Sequence, residues 1–162
     1  QGMWYISTMY LLFITTALSV YYTPKLSELK NNNELKKEIK NGYIKIIPFT
    51  VLFSVAIYIL REDVIRIAFS ESFLPMLELF KWQLAGDVMK ISSYLLSTMM
   101  IAKAMTKKYI YSELFFSGSF VLLAIFFIQQ YGLVGITYAY FINYLFYFFF
   151  LVFSFRWLFY EK

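Results

Sequence analysis

Asp87 and Lys90 stand three residues apart in a stretch that is otherwise apolar or weakly polar, Leu84-Ala-Gly-Asp-Val-Met-Lys-Ile-Ser-Ser-Tyr-Leu-Leu-Ser-Thr-Met-Met-Ile-Ala102. A carboxylate there can exchange a proton or a sodium ion, and an ammonium can attract an anion. On a helix, Asp87, Lys90, Tyr94 and Ser97 or Thr98 follow an i, i+3, i+7, i+10 pattern and form one polar stripe. Facing lipid, each charge would cost about 2.5 to 3.5 kcal/mol, so the stripe must face protein or a watery cavity. Two readings follow. Either the stripe lines a cavity for a polar substrate or a coupling ion, or Asp87 and Lys90 satisfy each other as an ion pair that helps two helices pack.

Glu113 offers a second carboxylate one turn inside another apolar run, although Lys107 and Lys108 are close enough for it to be an ordinary interfacial residue. Asn143, between Phe141 and Tyr144 among aromatic neighbours, is suited to an interhelical hydrogen bond. The chain has no cysteine and no histidine. That removes disulfides, thiolate nucleophiles, imidazole ligation of zinc or haem, and the usual neutral-pH base. No cofactor or metal site is expected, and no catalytic residue stands out.

The elements that must carry these residues are membrane helices. Apolar residues make up 60% of the chain and aromatics 23%, more than a soluble domain of 162 residues could hide. Five runs approach the roughly 20 residues needed to cross a bilayer, at about 4–22, 44–60, 84–102, 110–128 and 133–155. The expected fold is all-α, a polytopic membrane protein with five transmembrane helices. The net charge of +5 does not form the basic stripe of a nucleic-acid binder, and its pattern is a topology signal instead. Eleven Lys and Arg lie in the segment after the first run, the hairpin after the third and the tail, against Arg61, Arg66 and Lys81 in the other long connection. The positive-inside rule makes 23–43 a cytoplasmic loop and 61–81 a periplasmic loop, with Gln1 outside and Lys162 inside. The chain begins Gln1-Gly2 and enters its first apolar run almost at once, which leads us to expect part of a longer protein.

Within the connections, Thr23-Pro24 is expected to close the first span, and 31–42 to form a short amphipathic surface helix that stops at Gly42. Residues 61–69 read as an interfacial helical turn. A long helix is expected to start at Pro75, which suits a first helical position, and to run to about Lys107. Pro48 is placed to bend or begin the second span, while Gly132 and Gly135 suit a tight turn and helix start. The Phe-rich end of the last span reads as lipid-facing bulk, with Trp157 in the interfacial aromatic belt.

Four phrases together resemble the carboxy-terminal half of bacterial Wzx-type polysaccharide flippases. They are Leu18-Ser-Val-Tyr-Tyr-Thr-Pro-Lys-Leu-Ser27, Phe73-Leu-Pro-Met76 with Trp82-Gln-Leu-Ala-Gly-Asp-Val-Met-Lys-Ile91, Ala102-Lys-Ala-Met-Thr106, and Gly135-Ile-Thr-Tyr-Ala-Tyr-Phe-Ile-Asn-Tyr144. The resemblance covers nearly the whole chain and is nearest to the O-antigen translocase and enterobacterial common antigen branch. It implies most of the carboxy-terminal bundle of a twelve-helix exporter of the multidrug, oligosaccharidyl-lipid and polysaccharide superfamily, in the bacterial inner membrane. The implied partners are membrane lipids and an undecaprenyl-pyrophosphate-linked oligosaccharide, turned from the cytoplasmic to the periplasmic leaflet. The resemblance leaves open whether an O-antigen polymerase and a chain-length regulator work beside it.

By the same resemblance, Asp87, Lys90 and Arg61 match positions where the family carries cavity or rim charges. Lys90 and Arg61 would attract pyrophosphate, and the hydroxyls of Tyr94, Tyr138 and Tyr140 would meet sugar. Protonation of Asp87 would loosen its pairing with Lys90 and free the base. The rival readings are a drug or small-molecule exporter of the same superfamily, a membrane polymerase of the same pathway, and an assembly subunit with no cavity. The polymerase is disfavoured because the loop at 61–81 lacks a paired-carboxylate signature.

Overall fold

A computed structural model describes residues 2–69 and 71–156. Gln1, Trp157 and Lys162, used above for topology and the aromatic belt, lie outside the described residues. The elements are α1 (Gly2–Glu28), α2 (Asn32–Ile59), α3 (Arg61–Ala68), a 3-10 turn (Glu71–Met76), α4 (Leu77–Ala102), α5 (Thr106–Tyr131) and α6 (Val134–Ser154).

α1 and α2 each bury one face, along which apolar or small residues recur at three- and four-residue steps. In α1 the buried residues include Met3, Ser7, Tyr10, Leu18, Tyr22 and Leu26, and in α2 Leu35, Ile39, Gly42, Thr50 and Ser54. The opposite faces carry exposed Phe13, Val20, Leu52 and Ile59, as expected of helices whose outer surface meets lipid. α4 differs because it is buried on nearly every side. It packs against α6, α1, α2 and α5, and α6 in turn holds α5. The candidate residues Asp87 and Lys90 therefore sit on the central helix.

Four helices, α1, α2, α5 and α6, are long and apolar enough to cross a membrane. The third expected span is not among them. α4 has the length, 26 residues, but Asp87, Lys90 and the hydroxyl residues Ser92, Ser93, Ser97 and Thr98 interrupt its apolar run. Its surroundings supply the apolar contact that its composition lacks.

The expected cytoplasmic loop is mostly helix. α1 continues through Pro24 to Glu28, and α2 starts at Asn32, whose helix is capped by the Asn31 side chain accepting from the Asn33 N–H at 2.9 Å. Gly42 does not stop the helix. A Cβ there would lie 2.8 Å from the Tyr22 hydroxyl, so the glycine permits close approach of α1 and α2. Pro48 likewise lies inside a continuous α2. Pro75 falls in the 3-10 turn, and α4 begins two residues later and ends at Ala102, well short of the expected Lys107. The interfacial turn at 61–69 corresponds to α3.

At the α5–α6 corner, Gly132 has φ 62° and ψ −143° and its N–H returns to the Ile128 carbonyl at 2.9 Å. Gly135 allows the tightest contact there, since a Cβ would fall 2.2 Å from the Phe127 carbonyl oxygen. In α6 the Phe-rich end is divided between faces: Tyr147, Leu151 and Phe155 are buried, while Phe146, Phe149, Phe150 and Phe153 are exposed.

Candidate functional site

Asp87 has no exposed surface. Its carboxylate accepts three hydroxyl hydrogen bonds, from Ser7 Oγ at 2.7 Å and Tyr10 at 2.5 Å to Oδ2, and from Tyr140 at 2.9 Å to Oδ1. Ser7 and Tyr10 lie one turn apart on α1, and Tyr140 comes from α6. A single carboxylate thus ties α1, α4 and α6 together. Hydrogen bonds to a buried charge offset its desolvation, and removing one partner leaves the rest of that cost unmet.

Lys90 is not its ion-pair partner. Among the described residues the two form no salt bridge; the Lys90 ammonium lies 5.9 Å from the ring centre of Tyr140 and 5.5 Å from that of Tyr144. Both distances fall within cation–π range. The contact ion pair expected from the i, i+3 spacing is therefore corrected: Asp87 and Lys90 are close enough to feel each other's charge but do not touch. Asp87 is turned toward α1 and α6, whereas Lys90 opens into a cavity of about 370 Å³ shared by α1, α4, α5 and α6.

That cavity brings together Lys90, Glu113, Trp4, Asn143 and Tyr144. Glu113 accepts from the Tyr147 hydroxyl at 2.7 Å, which fixes the carboxylate on the inner side of α5. Asn143 makes the expected interhelical contact, accepting from Ser119 Oγ at 2.5 Å. An ammonium and a carboxylate thus line one space walled by aromatic rings, with an amide and hydroxyls beside them. Such a lining can hold a polar, hydrogen-bonding group with an anionic part.

The remaining sequence candidates lie elsewhere. The Tyr94 hydroxyl is bonded to Ser19 Oγ and joins α4 to α1. Arg61, at the start of α3, lies over the Tyr58 ring at 4.1 Å and lines a separate cavity of about 380 Å³ with Glu78, Lys81 and Trp82. Tyr138 packs edge-on against Trp82 at 5.3 Å. The structure therefore unites Lys90 with Glu113, places Asp87 next door behind Tyr140, and leaves Arg61 and Tyr94 apart.

Ser7, Tyr10 and Trp4 had no place in the sequence reading of the site. A signal existed, because Ser7 and Tyr10 are polar-tipped residues at i, i+3 on an apolar span. It carried no information about which distant residue they meet.

No protein-family model matches the chain, and neither does any solved structure. Two curated proteins do match, each named Lipid III flippase, from Escherichia coli (strain K12) and from Shigella flexneri. Each is 36% identical over 151 residues, which are 91% of this chain and 36% of the relative. The chain thus spans little more than a third of the length of these relatives. Both names describe a flippase, which is a transporter and not an enzyme. With four helices long and apolar enough to cross a bilayer, and this likeness over nearly all its length to a segment of two proteins named Lipid III flippase, the chain is a multi-pass inner-membrane protein.

Proposed function

We propose that this chain forms most of the carboxy-terminal bundle of a twelve-helix flippase. The flippase moves an undecaprenyl-pyrophosphate-linked oligosaccharide, an O-antigen or enterobacterial common antigen repeat unit, from the cytoplasmic to the periplasmic leaflet. The observation that carries this reading is the cavity holding Lys90 and Glu113 inside an otherwise apolar bundle. A sugar head group with its pyrophosphate cannot enter hydrocarbon unaided, because every unmatched polar group there costs several kcal/mol. It needs a polar, partly cationic path, and the lipid tail can stay in the bilayer.

In this reading Lys90 meets the pyrophosphate, while Glu113, Asn143 and Tyr144 meet sugar hydroxyls. Asp87 holds α1, α4 and α6 in register around the cavity. α4 crosses the membrane as the fifth span, and the lysine-rich ends of α1, α2 and α5 lie on the cytoplasmic side. Arg61 marks the periplasmic rim. Rocking of this bundle against a partner bundle would open the cavity to either face. A periplasmic polymerase with its chain-length regulator would consume the product.

The test is leaflet-resolved labelling of the lipid-linked oligosaccharide in a strain lacking its own flippase, complemented with the full-length protein. Periplasmic exposure that returns with the wild type and is lost with Lys90→Met at equal expression supports the reading. Failure of the wild type across a panel of donor sugars would turn the assignment toward a small-molecule exporter.

A further inference from the structure

α5 is held mainly by α6 and meets α4 much less, and a groove of about 710 Å³ opens where the three helices diverge. Its floor is apolar. Met100 of α4 is buried there, and Phe116 of α5 packs on Phe150 of α6 with ring centres 5.6 Å apart. Tyr111 and Phe115, both exposed, form the rim on α5. The volume falls in the range of about 300 to 1,000 Å³ usual for ligand sites. Charge enters at one end only. Lys108 lines the groove from the first turn of α5, Lys107 precedes it, and that turn carries no acid. Arg156 stands two residues beyond Ser154, which lines the same end on α6. Glu113, the only acid of α5, is turned the other way, accepting from Tyr147 and lining the Lys90 cavity. Two ammonium groups at the positive end of a helix repel that end as well as each other, and a bound anion relieves both. A topology signal needs lysines at this end of α5, but it does not need a groove beneath them.

We propose that this groove seats a phospholipid with an anionic head group. One acyl chain lies against Met100, Phe116 and Phe150, and the phosphate is held by Lys107 and Lys108. A zwitterionic phospholipid offers the same chains but brings a cation of its own to the lysines. A free phosphate offers the charge and leaves the apolar floor uncovered. The occupant is a lipid of the surrounding bilayer and not the transported molecule, so the inference rests on the chain lying in a membrane and not on the flippase reading. In the topology proposed above, this lipid comes from the cytoplasmic leaflet. Phe116 lines the Lys90 cavity as well as the groove, so a seated chain braces from behind the wall that carries Glu113.

The experiment is photo-crosslinking of the full-length protein in phosphatidylcholine nanodiscs with trace phosphatidylglycerol that carries a diazirine on its acyl chain, mapped by peptide mass spectrometry. Labels are expected on Met100, Phe115, Phe116 or Phe150. The pair Lys107→Gln with Lys108→Gln should lower groove labelling at least about tenfold. Ser154→Trp, which crowds the groove from the end of α6 without touching its charge, should lower it as well. Labelling at Leu122 and Phe126, exposed further along α5, should persist in both variants and reports that they are folded in the bilayer. Unlabelled phosphatidylglycerol should compete, and inorganic phosphate should not. A matched phosphatidylcholine probe should label the groove no more than it labels Leu122 and Phe126. Equal groove labelling by that probe, or labelling that the lysine pair leaves unchanged, reduces the groove to ordinary lipid contact and overturns the seat. Competition by inorganic phosphate makes it a site for a free anion and overturns it too. Labelling is read without transport, so a failure of the seat leaves the flippase reading standing, and a failure of export leaves the seat.

Discussion

Gly86 lies directly under the ring of Tyr140, so that a Cβ on Gly86 would fall 2.3 Å from Tyr140 Cδ1. The neighbouring residue, Asp87, receives the Tyr140 hydroxyl at 2.9 Å. The absent side chain at one position thus sets the hydrogen bond at the next. Replacing Gly86 by Ala should push α6 outward and weaken that bond, because Phe141 Cα, 3.3 Å from the same Cβ, blocks the simplest retreat. We expect a loss of about 1 to 3 kcal/mol, typical of overpacking, read as a lower unfolding midpoint in detergent. An unchanged midpoint would show that the helices are free to separate at this point.

Asp87→Asn removes the charge but keeps the volume. The amide offers one acceptor oxygen where the carboxylate offered two, and its NH2 group faces hydroxyls that now have to turn around. A cost of about 1 to 3 kcal/mol is expected. Tyr10→Phe and Tyr140→Phe should each cost about 1 kcal/mol in the wild-type background and markedly less beside Asp87→Asn. Strict additivity in that double-mutant cycle would mean the hydroxyls do not act through the carboxylate.

Lys90→Met removes the ammonium and its cation–π contacts with Tyr140 and Tyr144 but keeps most of the side chain's length and an apolar stem that can pack on the same rings. Stability should change little, while periplasmic exposure of substrate falls at least tenfold. Normal transport by this variant would move the anion-binding role away from the cavity. Glu113→Gln retains an acceptor for the Tyr147 hydroxyl and should also fold normally, so any change in which oligosaccharide is exported reports on the cavity and not on packing.

At Gly132 the backbone occupies a region that residues with a side chain rarely adopt, with φ 62° and ψ −143°. Nothing crowds a Cβ there, so the whole penalty of Gly132→Ala is conformational. It should be about 1 to 3 kcal/mol. Faster proteolysis at the α5–α6 corner would report it locally, and equal cleavage of variant and wild type would argue that this corner relaxes without cost.

Helix positions were legible because apolar runs are long and their faces repeat. Pro24 and Gly42 misled because both are ordinary helix breakers by local rule. Leu26, two residues after Pro24, is wholly buried, and packing there holds the last turns of α1 in place despite one missing donor. Gly42 is needed for the closeness of Tyr22, which depends on a residue twenty positions earlier. At the site, the placing of Asp87 and Lys90 on an apolar helix was readable from their chemistry alone. Their separation into two environments was not. It depends on Ser7, Tyr10 and Tyr140, which arrive from other helices and claim the carboxylate before Lys90 can reach it.

The partners of Asp87 also impose an order on biogenesis. Ser7 and Tyr10 precede it by 80 and 77 residues, and Tyr140 follows it by 53. When the ribosome delivers α4, α1 has already been made and α6 has not. An aspartate at the centre of an inserting helix opposes its release into lipid by about 2.5 to 3.5 kcal/mol. Two of the three hydroxyls that offset this are then already available on α1, and the third arrives a helical hairpin later. If α4 crosses the bilayer as the proposed fifth span, it enters as the second member of a pair. In a nascent chain stalled before α6, Ser7→Ala with Tyr10→Phe would leave it on the wrong side of the membrane.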